Sequence, residues 1–200
     1  MESGYITDIS VLAYLTNLTY LNIGCAVSDL NPLENLVNLK TLYIGSNEPI
    51  RDFRFLNHMP HLESLGIGNQ SLGDLAFLKD MTGLKELNLP NNQISNIYPL
   101  GGLSNLTWLN LNENHINDIN ALWDLKNLTY LTLENNRISG LYALRDLQNL
   151  ETLSLSRNYI EDITPLMGLA KLSNLCIGAN PVGEAQREEL KAALPDCLIS

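Results

Sequence analysis

The chain has 200 residues, a hydrophobic share of 45% and a formal net charge of −10 at pH 7. This apolar content suffices for a packed core and argues against disorder. The acidic balance argues against nucleic acid and anionic membranes as partners, because both attract basic surfaces. No apolar run approaches the roughly 20 residues of a membrane-spanning helix. We therefore expect a protein partner with a basic surface and no membrane insertion.

The compartment is left open by the sequence. The start, MESGYITDISVLAYL, lacks the basic and continuous apolar regions of a secretory signal peptide. Cys25, Cys176 and Cys197 are odd in number and widely separated, which favours unpaired thiols in a reducing compartment. Both features favour the cytoplasm, whereas a fragment of a longer chain could lie at the cell surface or be secreted.

Residues 1–17 are predicted to form a partial repeat without a cap. Ile6, Ile9, Leu12 and Leu15 have the spacing of the second half of the later repeats. No strand is expected before them, and no amphipathic capping helix is recognisable. An uncapped array exposes its core edge. This end is therefore truncated, continues in a longer parent chain or is covered by a partner.

Residues 18–171 are predicted to form seven repeats of 21–23 residues. In the regular repeats, apolar residues occupy the first, fourth, sixth, eleventh, fourteenth, seventeenth and twentieth positions, and asparagine the ninth. Such units bury their apolar edges only against their neighbours, which predicts a solenoid. The regular repeats begin 22 residues apart, at Leu84, Leu106, Leu128 and Leu150. The irregular ones, where we expect local bulges after the strand, begin at Leu18, Leu39 and Leu62.

Each repeat contains a short strand followed by a buried turn. The alternation in LNL, LTL and LSL has the period of two of a strand with one buried face. The asparagine after the strand can both donate and accept hydrogen bonds where the chain turns inward, whereas an aspartate charge would be costly to bury. The predicted structural asparagine ladder consists of Asn47, Asn92, Asn114, Asn136, Asn158 and Asn180.

An aspartate recurs at the thirteenth position, where it is predicted to cap a short helical or 3-10 turn. The aspartates of this column are Asp8, Asp29, Asp52, Asp74, Asp118 and Asp162. Calcium binding is the alternative, but one carboxylate per repeat does not supply the six to eight converging oxygens that calcium requires. We expect no metal site and no cofactor.

Residues 172–200 are predicted to form the last strand and a C-terminal cap. In GEAQREELKAAL the acidic residues come early and Lys191 comes late, while Leu190 and Leu194 have helical spacing. Pro195 then ends the helix. The polar outer face of this helix would shield the core edge from water.

The repeat resembles a known family. The pattern Leu-x-x-Leu-x-Leu-x-x-Asn-x-Ile-x-x-Ile-x-x-Leu-x-x-Leu is that of leucine-rich repeats. The 22-residue period, with phrases such as DITPLMGLAKLSNL, resembles the internalin type of bacterial repeat. It is also similar to the leucine-rich regulatory subunit of type-1 protein phosphatase. The resemblance implies an α/β solenoid, namely a right-handed leucine-rich-repeat superhelix with a parallel concave β-sheet, short 3-10 or helical convex segments and a C-terminal helical cap. It also implies that the concave sheet binds a protein.

The third, fifth and seventh positions of each repeat should form the concave face. There, Trp108 and Tyr130 lie on adjacent strands, with glutamates around them. Exposed aromatic residues ringed by polar groups have the composition of binding hot spots. The alternative is that large side chains tile the sheet and the pair merely stacks. The predicted protein-binding residues, with aromatic anchors and glutamates that select a basic partner, are Tyr43, Glu86, Trp108, Asn110, Glu113, Tyr130 and Glu134.

Other aromatic residues are expected to have structural roles. Phe55 and Phe77 occupy the sixteenth position of adjacent repeats, where packing on the convex side is favoured over a second binding patch. Tyr98 and Tyr142, at the fifteenth position, are predicted to be isolated surface tyrosines.

No catalytic set is recognisable, because a convergent acid, base or nucleophile is lacking. The three histidines are predicted to be surface residues, and no zinc-ligand spacing occurs. The predicted function is therefore a non-enzymatic protein-interaction module, within a larger bacterial protein, that binds its ligand on the concave face. The alternative is a structural spacer or a segment of an assembly or regulatory subunit, which contacts partners or a second copy through its open N-terminal edge.

Overall fold

The computed structural model of the protein describes residues 8–25, 29–46 and 49–200. Ile6 and the predicted ladder residue Asn47 lie outside the described residues. Of the predicted partial repeat at residues 1–17, residues 1–7 also lie outside the described residues.

One parallel sheet runs through the described part of the chain, and its strands follow one another in sequence order. Equivalent positions of neighbouring repeats are paired in register, as Leu87 with Leu109 and Leu109 with Leu131. The strands are β1 Tyr20–Cys25, β2 Thr41–Ser46, β3 Ser64–Ile67, β4 Glu86–Asn88, β5 Trp108–Asn110, β6 Tyr130–Thr132, β7 Thr152–Ser154, β8 Asn174–Cys176 and β9 Leu198–Ile199. The predicted parallel sheet is confirmed, and its first two strands are longer than those of the regular repeats.

Among the described residues, an apolar core runs along the sheet, because each strand turns one side chain in every two inward. Leu87, Leu109, Leu131 and Leu153 occupy the fourth position of the regular repeats and are fully buried. The other apolar positions of the repeat join the same cluster. Each coil therefore stabilises its neighbours by burying their leucines.

Short 3-10 turns form a second layer opposite the sheet, as predicted. In the described ranges they are Ser10–Tyr14, Asn31–Asn35, Arg54–His58, Ala76–Leu78, Tyr98–Gly102, Asn120–Leu122, Tyr142–Leu144 and Thr164–Leu166. Pro99 and Pro165 lie in the first turn of their segments, where the missing N–H is not needed.

The aspartate column caps these turns, as predicted. Each of the six carboxylates accepts a hydrogen bond, 2.8–3.0 Å long, from the backbone N–H of the first residue in the turn that follows. Hydrogen bonds from the backbone and side chain of Ser10 lower the pKa of Asp8. Hydrogen bonds from the side chain and then the backbone of Thr164 lower the pKa of Asp162. The side chain of Arg54 lowers the pKa of Asp52 to about 2. The carboxylates are therefore occupied as structural acceptors.

The C-terminal end of the array is covered by helix α1, Glu184–Ala193, and by β9. Leu190 of α1 is fully buried against the core. Gln186 Oε1 accepts a hydrogen bond of 3.0 Å from the backbone of Ile163, which ties the helix to the preceding 3-10 layer. The expected helical cap is thus present, with Glu184 in its first turn and Lys191 in its last.

The first described coil leaves large apolar side chains in water. Val11, Tyr14, Leu15 and Tyr20 are exposed by 63%, 84%, 46% and 57%. Among the described strands, β1 pairs only with β2, so its other edge carries free backbone groups. Over the described residues, no helix has the length and apolar character needed to cross a membrane.

Candidate functional site

Three columns of side chains cover the outward face of the sheet, which we call the concave face. The register places Glu86 beside Trp108, and Trp108 beside Tyr130. The first column consists of Tyr20, Thr41, Ser64, Glu86, Trp108, Tyr130, Thr152 and Asn174. The second column consists of Asn22, Tyr43, Gly66, Asn88, Asn110, Thr132, Ser154 and Cys176. The third, at or just beyond the strand ends, consists of Gly24, Gly45, Gly68, Pro90, Asn112, Glu134, Ser156 and Gly178.

Trp108 and Tyr130 form a parallel aromatic stack in the first column. Their ring centroids are 5.0 Å apart and their planes differ by 3°. Both side chains are half-buried, so part of each ring remains accessible. The pair offers a rigid apolar surface in the middle of a polar face, which is the composition of an interaction hot spot.

Tyr43 lies flat against the neighbouring strand, where glycine leaves room for its ring. A Cβ atom on Gly66 would lie 2.2 Å from Tyr43 Cδ1, so no larger residue fits beneath the ring in this position. The Tyr43 hydroxyl lies 3.0 Å from Ser64 Oγ, and Ser64 Oγ donates to Glu86 Oε2 over 3.1 Å. One hydrogen-bonded chain therefore links β2, β3 and β4 and positions two of the predicted binding residues.

Asn110 is the centre of a second hydrogen-bonded chain across the sheet. Its Nδ2 donates to Asn88 Oδ1 over 2.9 Å, and its Oδ1 accepts from Thr132 Oγ1 over 2.9 Å. The same Oδ1 also accepts from the backbone of Asn112. Asn110 is thus held in one orientation, and its polar groups are largely used within the protein.

The charges of the three columns are all negative. Glu86 and Glu134 are acidic, and the columns contain neither lysine nor arginine. Arg157, in the turn beyond β7, lies 3.9 Å from Glu134 and forms an exposed, weak ion pair. At the start of the strands, Lys85 is paired with Glu63 at 2.7 Å. The charged side chains within the three columns are therefore carboxylates, those of Glu86 and Glu134.

Glu113 lies apart from the three columns. It is in the turn after β5, with a left-handed φ of 56°, and its backbone N–H donates to Glu134 O. The corresponding positions of other repeats, Asn69, Asn91 and Asn135, share this conformation, which asparagine adopts more readily than glutamate. The structure thus gathers Tyr43, Glu86, Trp108, Asn110, Tyr130 and Glu134 on one face and places Glu113 at its rim.

The ninth-position asparagines form hydrogen bonds within and between the coils. Asn136 Nδ2 donates to the carbonyls of Leu111, Leu133 and Glu134, over 2.9, 3.1 and 3.3 Å, and its Oδ1 accepts from Ile116 N over 3.0 Å. The same pattern is repeated at Asn92, Asn114, Asn158 and Asn180. Buried backbone groups that the turn would leave without partners are satisfied in this way.

A second aromatic cluster lies among the 3-10 turns, and the sequence interpretation missed it. Trp123 stacks on Tyr142 with ring centroids 5.4 Å apart. The Arg145 guanidinium lies 4.2 Å from the Tyr142 ring and 5.1 Å from the Trp123 ring, and Lys126 Nζ is also 5.1 Å from Trp123. The prediction that Tyr142 is an isolated surface residue is therefore wrong, because its neighbour in the preceding repeat provides a stacking partner. Tyr98 is 82% exposed.

The phenylalanines on this side pack differently from each other. Phe55 is buried in the core, as expected. Phe77 is only half-buried and stacks on Phe53, with ring centroids 4.1 Å apart and planes 8° apart. Farther along, a groove of about 620 Å³ is lined by Lys79, Gly101 and Trp123 among others, but it combines charges of both signs and indicates no ligand class.

His58, His61 and His115 are exposed. In the part of the chain that the structure describes, no three His, Cys, Asp or Glu side chains converge on a point where a metal ion could bind. Cys176 and Cys197 are free thiols, and burial raises the pKa of Cys197.

Comparisons with known proteins agree with this geometry. Residues 98–138 match the family described as leucine rich repeat, and residues 149–169 match a second description of the leucine-rich repeat. No relative was found among curated protein sequences.

Solved bacterial structures resemble the whole chain. An internalin of Listeria monocytogenes is 29% identical with a TM-score of 0.67, over 98% of this chain and 70% of its own. Internalin C2 of the same organism is 27% identical with a TM-score of 0.84, over 94% of this chain and 83% of its own. A leucine-rich repeat protein of Leptospira interrogans is 27% identical with a TM-score of 0.87, over 98% of this chain and 52% of its own.

The repeated strand, turn and 3-10 segment, together with these matches, define the class: the chain is a leucine-rich repeat protein. Its repeats are of the internalin-like type. Both the fold and its structural relatives are those of a protein-interaction repeat module.

Proposed function

We propose that the chain is a non-enzymatic module that binds a protein with a basic surface on its concave face, as part of a larger bacterial protein. The observation that carries the proposal is the Trp108–Tyr130 stack, which is partly accessible and lies beside Glu86 on a face whose columns contain no cation. Aromatic anchors provide contact area at low entropic cost, and the carboxylates favour a cationic ligand. The net charge of −10 disfavours nucleic acid as the ligand.

The remaining predicted residues support this surface in different ways. Tyr43 extends it towards β2, and its hydrogen bond to Ser64 keeps its ring against the sheet. Glu134 adds negative charge just after β6, in the coil of Tyr130, and Asn110 provides a polar group of fixed orientation. We assign Glu113 to the rim, where it would contribute to charge selection rather than to anchoring.

The chain offers a matched control for this proposal, because it contains two Trp–Tyr stacks on different faces. We expect the pair Trp108→Ala and Tyr130→Ala to weaken partner binding about 100-fold or more, since two hot-spot side chains typically contribute about 2 kcal/mol each. The pair Trp123→Ala and Tyr142→Ala should leave binding within about twofold, because it alters the convex side only.

Wild-type protein and both double variants would be used as bait, and captured proteins identified by mass spectrometry. Binding isotherms of each captured protein would then be measured at two salt concentrations, with circular dichroism as the folding control. A partner that is lost with the convex variant but kept by the concave one would contradict the proposal. So would an affinity that does not weaken as salt rises.

A second candidate function is assembly through the N-terminal edge. It is favoured by the exposed Val11, Tyr14, Leu15 and Tyr20 in the first described coil. This candidate predicts that the mass measured by light scattering after size exclusion rises with concentration. It also predicts that Val11→Ser combined with Tyr14→Ser returns the protein to a monomer. A constant monomer mass across the concentration range would remove this candidate.

A further inference from the structure

The geometry of the Trp108–Tyr130 stack shows which aromatic surface is open. Adjacent parallel strands are about 4.8 Å apart, and the two ring centroids are 5.0 Å apart with nearly parallel planes. The rings therefore stand on the sheet and stack along the direction from strand to strand. Tyr130 covers one face of the indole. The other face is directed towards β4, where the residue in register with Trp108 is Glu86.

The Glu86 carboxylate is drawn away from this indole face. Its Oε2 accepts a hydrogen bond from Ser64 Oγ, and Ser64 lies on β3, on the opposite side of Glu86 from Trp108. Ser64 is in turn held by Tyr43, so the carboxylate has a defined position. Because β4 and β5 are adjacent, the Glu86 carboxylate and the indole of Trp108 are neighbours on the concave face, an acid beside an aromatic ring.

The other Trp–Tyr stack of the chain shows what the Trp108–Tyr130 stack lacks. On the 3-10 side, Trp123 carries two cations of its own chain, Arg145 and Lys126, each 5.1 Å from the ring centroid. Among the described residues, the cation–π contacts involve Trp123 and Tyr142 and not Trp108. The Trp123–Tyr142 stack is thus contacted by cations of its own chain. The Trp108–Tyr130 stack on the concave face has an adjacent acid and, among the described residues, no such cation.

We propose that the surface formed by Trp108 and Glu86 is a subsite for an arginine side chain of the protein partner, an inference that rests on the proposed function of the concave face. The planar guanidinium would lie on the indole, as guanidinium groups commonly do. Its edge N–H groups would donate to the Glu86 carboxylate, which can still accept hydrogen bonds. Lysine carries the same charge but cannot stack as a plane or form the forked contact.

Fluorescence of Trp108 tests this subsite directly. The chain has two tryptophans, so a Trp123→Phe background leaves Trp108 as the only reporter. The probes are capped tetra-arginine and tetra-lysine peptides, which have equal charge. We expect tetra-arginine to change the Trp108 emission and to bind about tenfold more tightly than tetra-lysine, given the strength of stacked cation–π contacts.

Two glutamate variants separate the subsite from general electrostatic attraction. Glu86→Gln should abolish the preference for arginine, because it removes the charged acceptor beside the indole. Glu134→Gln removes one charge from the same face, in the third column and in the coil of Tyr130, and should weaken both peptides equally while preserving the preference. Equal affinity of the wild-type background for both peptides, or an unchanged preference in Glu86→Gln, would overturn the subsite.

Failure of the subsite can be told apart from failure of the concave binding face. If Glu86→Gln leaves the captured protein bound while the Trp108 and Tyr130 double variant loses it, the face binds the partner but the arginine subsite is wrong. If neither change affects the captured protein, both proposals fail. If Glu86→Gln and the Trp108 and Tyr130 double variant each lose the captured protein, and the unmodified concave face prefers tetra-arginine, the binding face and the arginine subsite are both supported.

Discussion

Asn136→Ala is expected to lower the free energy of unfolding by about 3 kcal/mol, since each buried backbone group left without a partner costs roughly 1–3 kcal/mol. The side chain of Asn136 is only 6% exposed and donates to three carbonyls while accepting from Ile116 N. Alanine leaves these backbone groups inside the coil without the amide that paired with them. Chemical denaturation would measure the loss.

Two further variants define the cause of this loss. Asn136→Asp keeps the size and the accepting oxygen but replaces the donating amide by a second oxygen, so it should destabilise at least as much as alanine. Asn117→Ala changes an exposed asparagine of the preceding repeat and should cost about 0.5 kcal/mol or less. A cost below about 1 kcal/mol for Asn136→Ala would show that the turns satisfy their backbone without the asparagine.

Leu131→Ala is expected to destabilise the array as a whole by about 3 kcal/mol, within the range of buried leucine truncations. Leu131 is fully buried in β6 and is paired with both Leu109 and Leu153 in the neighbouring coils. Removing its side chain weakens two interfaces between coils at the centre of the solenoid. Since coils contact only their neighbours, this substitution weakens the coupling between the N-terminal and C-terminal halves of the array.

Leu190→Ala provides the comparison at the end of the array. Leu190 is equally buried, but it belongs to α1, which covers only the last coils. Hydrogen exchange should show faster exchange confined to β8, β9 and the turn of Thr164–Leu166, with β5 and β6 unchanged. Leu131→Ala should instead accelerate exchange on both sides of β6. Uniform acceleration by Leu190→Ala would mean that the array unfolds as one cooperative unit.

Contacts between equal positions of successive repeats could be predicted from the sequence. A 22-residue period places the same position of each repeat one strand further along the sheet, so Trp108 and Tyr130 had to be neighbours. The capping role of the aspartates follows in the same way, because each precedes the same turn. That these aromatic residues bind a partner stays a prediction.

Contacts between residues at different positions of consecutive repeats could not be predicted from the sequence. Trp123 and Tyr142 occupy the eighteenth and fifteenth positions of consecutive repeats, so their contact depends on how the 3-10 turns bring diagonal neighbours together. Phe53 and Phe77 meet in the same way, and there an inserted residue also shifts the pattern of the earlier repeat. The hydrogen-bonded chain from Tyr43 to Glu86 likewise joins the second column to the first.

The sequence by itself determined the repeating unit, because the spacing of leucine, isoleucine and asparagine specifies which side chains each coil buries and where it turns. Only the tertiary structure decided the chemistry of the surfaces. Surface side chains reach sideways and diagonally across coils, over distances set by strand spacing and turn geometry rather than by the period. Hence the leucines of this chain could be placed by counting, whereas the Trp123–Tyr142 stack and the hydrogen-bonded chain from Tyr43 to Glu86 required the assembled structure.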